Sequence, residues 1–147
     1  MPNQQVQQGT LNRLRGSVIY AEFAQLNVTA SYLDKAAISL AFEGDAGELI
    51  TTLTGGVTSP APYQIANVTM HLLRSQSLAN AYKVQFETDT TMGSVNIIPD
   101  ADTLDNYQLE NCILVRVEDQ NFDGTQPGMI VRLRGIYYVN AALFASS

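Results

Sequence analysis

Residues 63–93, YQIANVTMHLLRSQSLANAYKVQFETDTTMG, decide the fold because their hydrophobic period changes once. The first part has a period of two, which is typical of a half-buried strand. One face of that strand holds Ala66, Val68, Met70 and Leu72, and the other holds Asn67, Thr69 and His71. After Ser75 and Ser77, either of which can cap a helix, apolar residues recur every three or four positions until Gly93. The stretch therefore predicts one strand followed by one helix, whose apolar positions are Leu78, Ala81, Tyr82 and Phe86.

The segments on either side of this stretch have the composition and period of strands. They are residues 18–28, 36–43, 94–98, 109–118 and 129–140. One helix among this many strands predicts a mainly β fold, a β-sandwich or barrel with the helix closing one open end. The last segment carries apolar groups on both faces, so we expect it to be covered twice, once by its own core and once by another subunit.

A long segment, residues 44–62 (GDAGELITTLTGGVTSPAP), interrupts these strands. A plain loop of this length is uncommon in a compact domain. Its apolar residues are Leu49, Ile50, Leu53 and Val57, a content that argues against simple disorder. The segment predicts a protruding hairpin or flap that needs a partner; a flexible excursion is the alternative.

Composition limits the classes of function. The chain has 147 residues, 46% of them hydrophobic, which suits a single domain with a sizeable core. Its net charge of -6 argues against a surface that grips nucleic acid. The single cysteine, Cys112, lies in an apolar run and suits a buried position rather than a nucleophile. No apolar run is long enough for a membrane span, so we expect no membrane insertion.

Motifs for catalysis or metal binding are weak. Residues 119–124 (DQNFDG) match the first half of a calcium loop, but Ile130 stands where the closing glutamate belongs, which favours a turn. The acidic run Asp100, Asp102 and Asp105 is expected to be a solvated loop. His71 has no partner in a catalytic or metal-binding spacing. We therefore expect no enzyme activity, no metal and no cofactor.

The layout resembles the tail tube proteins of tailed bacteriophages, to which the type VI secretion tube protein is structurally similar. Four parts carry the resemblance: the polar arm MPNQQVQQGTLNR, taken as a flexible arm over residues 1–13, the long segment 44–62, the joint MHLLRSQSLANAY, and the ending SVNIIPDADTLDNYQLENCILVRVEDQNFDGTQPGMIVRLRGIYYVNA. The resemblance covers most of the chain. It implies hexameric rings, joined by strands of neighbouring subunits and stacked into a tube through the long segment and the arm.

The resemblance also implies partners and a location. Genomic DNA would pass through the lumen without specific binding, and a tape measure protein, sheath, baseplate or terminator proteins would contact the tube. The protein would belong to a virion tail assembled in the host cytoplasm. A tail terminator, a type VI tube component and a small-ligand-binding β-sandwich are the alternatives.

Two residue sets are expected to serve this assembly. The polar strand faces give the lumen candidates Ser39, Glu43, Asn67, Thr69 and His71, with the outer surface of the tube as the alternative location. The apolar residues of the long segment give the inter-ring candidates Leu49, Ile50, Leu53 and Val57. A ring of Glu43 carboxylates would weakly repel DNA phosphates, so that the DNA slides.

Overall fold

The computed structural model describes residues 9–101, 103–118, 124–125 and 127–144. Eight strands lie within these ranges: β1 (Ser17–Tyr20), β2 (Leu33–Glu43), β3 (Gly47–Thr51), β4 (Gly56–Pro60), β5 (Tyr63–Leu73), β6 (Thr91–Ile98), β7 (Tyr107–Glu118) and β8 (Gly128–Tyr138). The helices are α1 (Ser77–Thr88) and α2 (Ala141–Phe144), and two 3-10 turns cover Ala24–Leu26 and Ala30–Tyr32. None of the helices described here is long and apolar enough to cross a membrane.

Six strands form one antiparallel sheet in the order β1-β6-β7-β8-β5-β2, and the sheet curls into a half-barrel. The expectation of a mainly β fold is confirmed, since 52% of the residues that the structure describes are in strands. The two strands β3 and β4 form a separate hairpin outside the sheet. The curl brings Phe42 of β2 within 6.1 Å of the Tyr107 ring of β7, although two strands separate β2 from β7 in the sheet.

The core fills the concave side of the half-barrel. Strand β5 buries its predicted apolar face completely, which confirms the period-two pattern. Helix α1 covers the core with Leu78, Ala79 and Tyr82. The hydroxyl of Tyr82 donates to the carbonyl of Leu26 at 2.7 Å and is hydrogen bonded to the Tyr20 hydroxyl at 2.8 Å. These bonds fix the helix to the 3-10 turn and to β1.

The predicted helix was too long and its caps were wrong. Helix α1 ends at Thr88, and Gly93 lies in β6 with a φ of 71°, a backbone conformation that suits glycine. The run of threonine and aspartate at 88–91 disfavours a helix, and the Asp89 carboxylate accepts from the Thr91 amide at 3.0 Å. The N-cap is Gln76, which makes no side-chain cap bond, so neither Ser75 nor Ser77 has that role.

The predicted strand 18–28 was also wrong beyond Tyr20. The chain folds back, so that the backbone groups of Val18 and Val28 exchange hydrogen bonds of 3.0 and 2.8 Å. The side chain of Asn27 accepts from the Tyr20 amide at 2.8 Å and holds the turn. The remaining predicted strands are present with bounds that differ by a few residues.

Some predictions lie outside the described residues. They are the structure of residues 1–8 of the arm, the calcium-like loop at 119–123, and Asp102 of the acidic run. Within the described part of the arm, the Asn12 amide donates to the Asp100 carbonyl at 2.9 Å, which ties this segment to the end of β6.

Candidate functional site

The first candidate surface is the hairpin formed by β3 and β4. Its strands pair from Gly47 opposite Pro60 to Thr51 opposite Gly56, and almost every residue is exposed. The four inter-ring candidates lie here, with exposures of 102% for Leu53, 64% for Leu49, 55% for Val57 and 48% for Ile50. An isolated two-stranded hairpin is at best marginally stable in water. Exposed apolar groups on such an element are typical of an interaction surface.

Asn140 holds the base of the hairpin in place. Its side-chain amide donates to the carbonyls of Ala46 and Ala61 at 3.0 and 2.6 Å, and these two residues are themselves joined by a backbone bond of 2.9 Å. Asn140 has a φ of 54°, a conformation that asparagine tolerates better than most residues. The hairpin is therefore anchored at its base and projects from there.

The second candidate surface is the face of the sheet opposite the core, called the polar sheet face. Register brings Ser39 opposite Thr69, and Glu43 accepts from the Asn67 side chain at 2.9 Å. His71 donates through Nδ1 to the Ala37 carbonyl at 3.1 Å, at a bulge in β2. The structure thus brings all five lumen candidates onto the polar sheet face. They share it with Arg116, Arg132 and Arg134 and with the isoleucines Ile65, Ile130 and Ile136.

Sequence reasoning did not assign the arginines to this surface. Arg134 forms an ion pair with Glu43, and Arg132 donates to Thr69 Oγ1 at 3.0 Å. With Arg116 they line a concavity of about 450 Å³, called the arginine concavity, whose other lining residues are Glu43, Asn67, Val68, Thr69, Val115 and Leu133. The alternation of β8 placed Arg132 and Arg134 on one face, but only the pairing with β5 and β7 shows which residues they meet.

Glu43 is paired within the subunit on this surface. The hydrogen bond from Asn67 and the ion pair with Arg134 lower the pKa of Glu43, so its carboxylate is both ionised and compensated. Among the described residues that line the arginine concavity, Glu43 is the only acidic one beside three arginines. The repulsion of DNA phosphates by a ring of Glu43 carboxylates stays a prediction.

A third candidate is a cleft of about 680 Å³ between the two margins of the curled sheet. On one side lie Arg13, Leu14 and Ile98, and on the other lie Leu33, Ile38 and Leu40 of β2. The volume falls in the usual range of small-molecule sites, about 300–1,000 Å³. Within the described part of the chain, no group of metal-binding side chains is present here or elsewhere.

Cys112 is not part of these surfaces. Burial raises the pKa of its thiol to about 12, so it has little thiolate at neutral pH. Its sulfur occupies the space above Gly135, and a Cβ built on Gly135 would lie 2.4 Å from it. The expectation of a buried cysteine is confirmed, with 1% exposure.

The fold and these surfaces define a mainly β chain with a curled sheet, a covering helix and a projecting hairpin. No protein-family model matches the chain. No curated protein matches it either. Among solved structures, it is similar to a chain from the tail of an empty GTA particle, a phage-like gene transfer agent, computed with helical refinement in C6 symmetry. The TM-score is 0.55 at 11% identity, covering 86% of this chain and 96% of that one. The chain therefore has a fold that also occurs in a phage-like tail.

Proposed function

We propose that this chain is the structural subunit of a phage-type tail tube, with no catalytic role. In this proposal six copies form a ring, rings stack into a hollow tube, and genomic DNA passes through the lumen to the host. The observation that carries the proposal is the likeness to a chain of a C6-symmetric tail over nearly the whole length of both proteins. A subunit of a virion tail would also contact tape measure, sheath, baseplate or terminator proteins.

The exposed apolar residues of the hairpin are the evidence for the proposed stacking of rings. Leu53 lies at its tip, and Ile50 and Val57 are opposite each other in the register, so an apolar strip runs along an element that projects from the domain. Burying such side chains against a neighbour would contribute about 25 cal/mol per Å² of apolar area. We assign Leu49, Ile50, Leu53 and Val57 to the contact between rings.

The experiment is to replace Ile50 and Leu53 by aspartate and to examine concentrated protein by negative-stain electron microscopy. We expect single rings or monomers instead of tubes, with an unchanged circular dichroism spectrum, because the hairpin lies outside the core. A matched control replaces the exposed helical residues Val84 and Phe86 by aspartate. Tubes of normal length from the hairpin variant would exclude the hairpin as the inter-ring contact.

The polar sheet face is our candidate for the wall of the lumen. Its five candidate residues are exposed or partly exposed, and it lies opposite the core. It spans the long strands β2, β5, β8 and β7, which are adjacent in the sheet. A cysteine at exposed Ser39 tests this location, since Cys112 is buried and should remain silent. In assembled tubes a small maleimide should label the cysteine at position 39, and a large polymer maleimide should not. A cysteine in place of Lys83 should be labelled by both reagents. Equal labelling of both positions by the large reagent would place this face outside.

The cleft favours a second candidate function, the binding of a small apolar ligand. Its lining is largely aliphatic and includes the ring of Tyr107. A fluorescent apolar probe would support this function if it binds the unmodified subunit and no longer binds the variant Leu40→Trp. Absence of probe binding would remove it.

A further inference from the structure

The hairpin of β3 and β4 has little packing that could fix the direction in which it projects. In the described part of the chain, its two strands pair only with each other, and nearly all of their residues are exposed. The chain enters the hairpin through Gly44, which has a φ of 72°. A Cβ built on Gly44 would meet no atom beyond its chain neighbours within 4 Å. Since glycine is the least restricted residue, the direction of the hairpin depends on the hydrogen bonds at its base.

Two of these hydrogen bonds hold the connections that lead into and out of the hairpin. The Gln64 side chain donates to the Gly44 carbonyl at 3.0 Å, on the entering side. The Val139 amide donates to the Pro62 carbonyl at 3.2 Å, on the leaving side. Each bond fixes one connection to the sheet, and neither bond reaches the base of the hairpin itself.

Asn140 is the residue that ties both sides of the hairpin base at once. Its side-chain nitrogen donates to the Ala46 carbonyl at 3.0 Å and to the Ala61 carbonyl at 2.6 Å. Asn140 follows shortly after the end of β8, which lies between β7 and β5 inside the six-stranded sheet. The amide therefore connects both sides of the hairpin base to an inner strand of the sheet.

The backbone and the side chain of Asn140 have separate roles. Its backbone carbonyl accepts from the amides of Leu143 and Phe144 at 3.0 and 3.2 Å, at the start of α2. Its φ of 54° is tolerated by asparagine and aspartate better than by most residues. Aspartate at this position would keep the backbone and the shape of the side chain. It would lose only the donor, because an ionised carboxylate accepts hydrogen bonds and cannot donate them.

We propose that Asn140 is a positioning residue for self-association: its side-chain amide sets the direction of the hairpin, and copies of the chain join through a hairpin that points in that direction. The inference rests on the proposed stacking of rings through the hairpin. Subunits that already hold Ile50 and Leu53 in one direction lose less conformational freedom when they join. A hairpin that swings about Gly44 would lose that freedom at every contact.

The direction of the hairpin is measured in the dilute subunit by double electron-electron resonance. Spin labels are attached at Thr54→Cys, in the exposed tip, and at Lys83→Cys, on α1, while the buried Cys112 stays unlabelled. We expect one narrow distribution of distances between the labels. Adding Asn140→Asp should broaden this distribution, because the hairpin is released from β8. An equally narrow distribution in the Asn140→Asp protein would overturn the proposal.

Self-association is measured by sedimentation and negative-stain electron microscopy. With two hydrogen bonds lost in each subunit, Asn140→Asp should need a protein concentration at least about tenfold higher to form tubes. Asn140→Gly removes the same donor without adding a charge and suits the positive φ, so it should behave in the same way. The control Asn80→Asp adds the same charge at an exposed position of α1 and should form tubes as the unmodified protein does.

The remaining outcomes separate this inference from the tail-tube role. Circular dichroism melting should differ little among the variants, because Asn140 and Asn80 are not part of the hydrophobic core. Normal tubes from either Asn140 variant would overturn the proposal, and so would loss of tubes from Asn80→Asp, which would assign the effect to charge. Absence of tubes from the unmodified chain would contradict the tail-tube role instead. The distance distribution then still decides whether Asn140 orients the hairpin.

Discussion

Replacing Gly135 by alanine should destabilise the subunit, because the Cys112 sulfur already occupies the space that the new methyl group needs. The Cβ would lie 2.4 Å from Sγ, whereas its next neighbours, the Glu110 carbonyl oxygen and Leu109 Cβ, are at 3.4 Å. The overlap of about 1 Å must be relieved inside a core where Cys112 is 1% exposed. Overpacking of this kind costs about 1–3 kcal/mol. For a chain of this size we expect the melting temperature to fall by about 2–12 °C.

The assay is urea unfolding followed by circular dichroism, at two protein concentrations so that self-association is detected. The variant C112A removes the sulfur, and C112A/G135A then places the methyl group at ordinary contact distances. We expect the cost of Gly135→Ala to disappear largely in the C112A background, a coupling of about 1–3 kcal/mol in a double-mutant cycle. Equal costs in both backgrounds would refute the explanation based on the sulfur contact.

Three further predictions concern single side chains. Tyr82→Phe should cost about 1–3 kcal/mol in urea unfolding because it leaves the buried Leu26 carbonyl without its donor, whereas the exposed Tyr63→Phe should cost little; equal effects would contradict this. The folded-state pKa of Glu43 is lowered, so its stabilisation is present above the unfolded pKa of about 4.3 and is lost as pH falls through the folded pKa. Glu43→Gln should therefore lower the melting temperature at pH 7 but not at pH 2, and a difference of the same size at both would be evidence against the pairing. The Cys112 thiol should react with a disulfide reagent at pH 8 only after unfolding, and fast labelling of native protein would show that it is accessible.

The strands with a clean period were predictable from the sequence, and their ends were less so. The alternation of β5 identified its buried face because each side chain lies either in the core or on the polar sheet face. The end of α1 was missed because Gly93 was taken as the stop signal, whereas the helix already ends at Thr88. The turn after β1 depends on hydrogen bonds between Val18 and Val28, and no local sequence pattern predicts that the chain folds back there.

The candidate surfaces were also predictable only in part. The apolar content of residues 44–62 pointed to an element that needs a partner, since this is a property of local composition. The charge of the polar sheet face could not be predicted, because it depends on which strands are neighbours. Arg134 meets Glu43 across 91 residues of sequence, and Arg116 meets Arg132 only through the register of β7 and β8.

The most direct measurement of the central claim is electron cryomicroscopy of the purified, concentrated protein, with light scattering to follow its mass. The proposed role predicts hollow tubes built of stacked six-fold rings, in which the hairpin bridges one ring to the next. A monodisperse monomer at every concentration would contradict the claim, and so would closed rings that never stack.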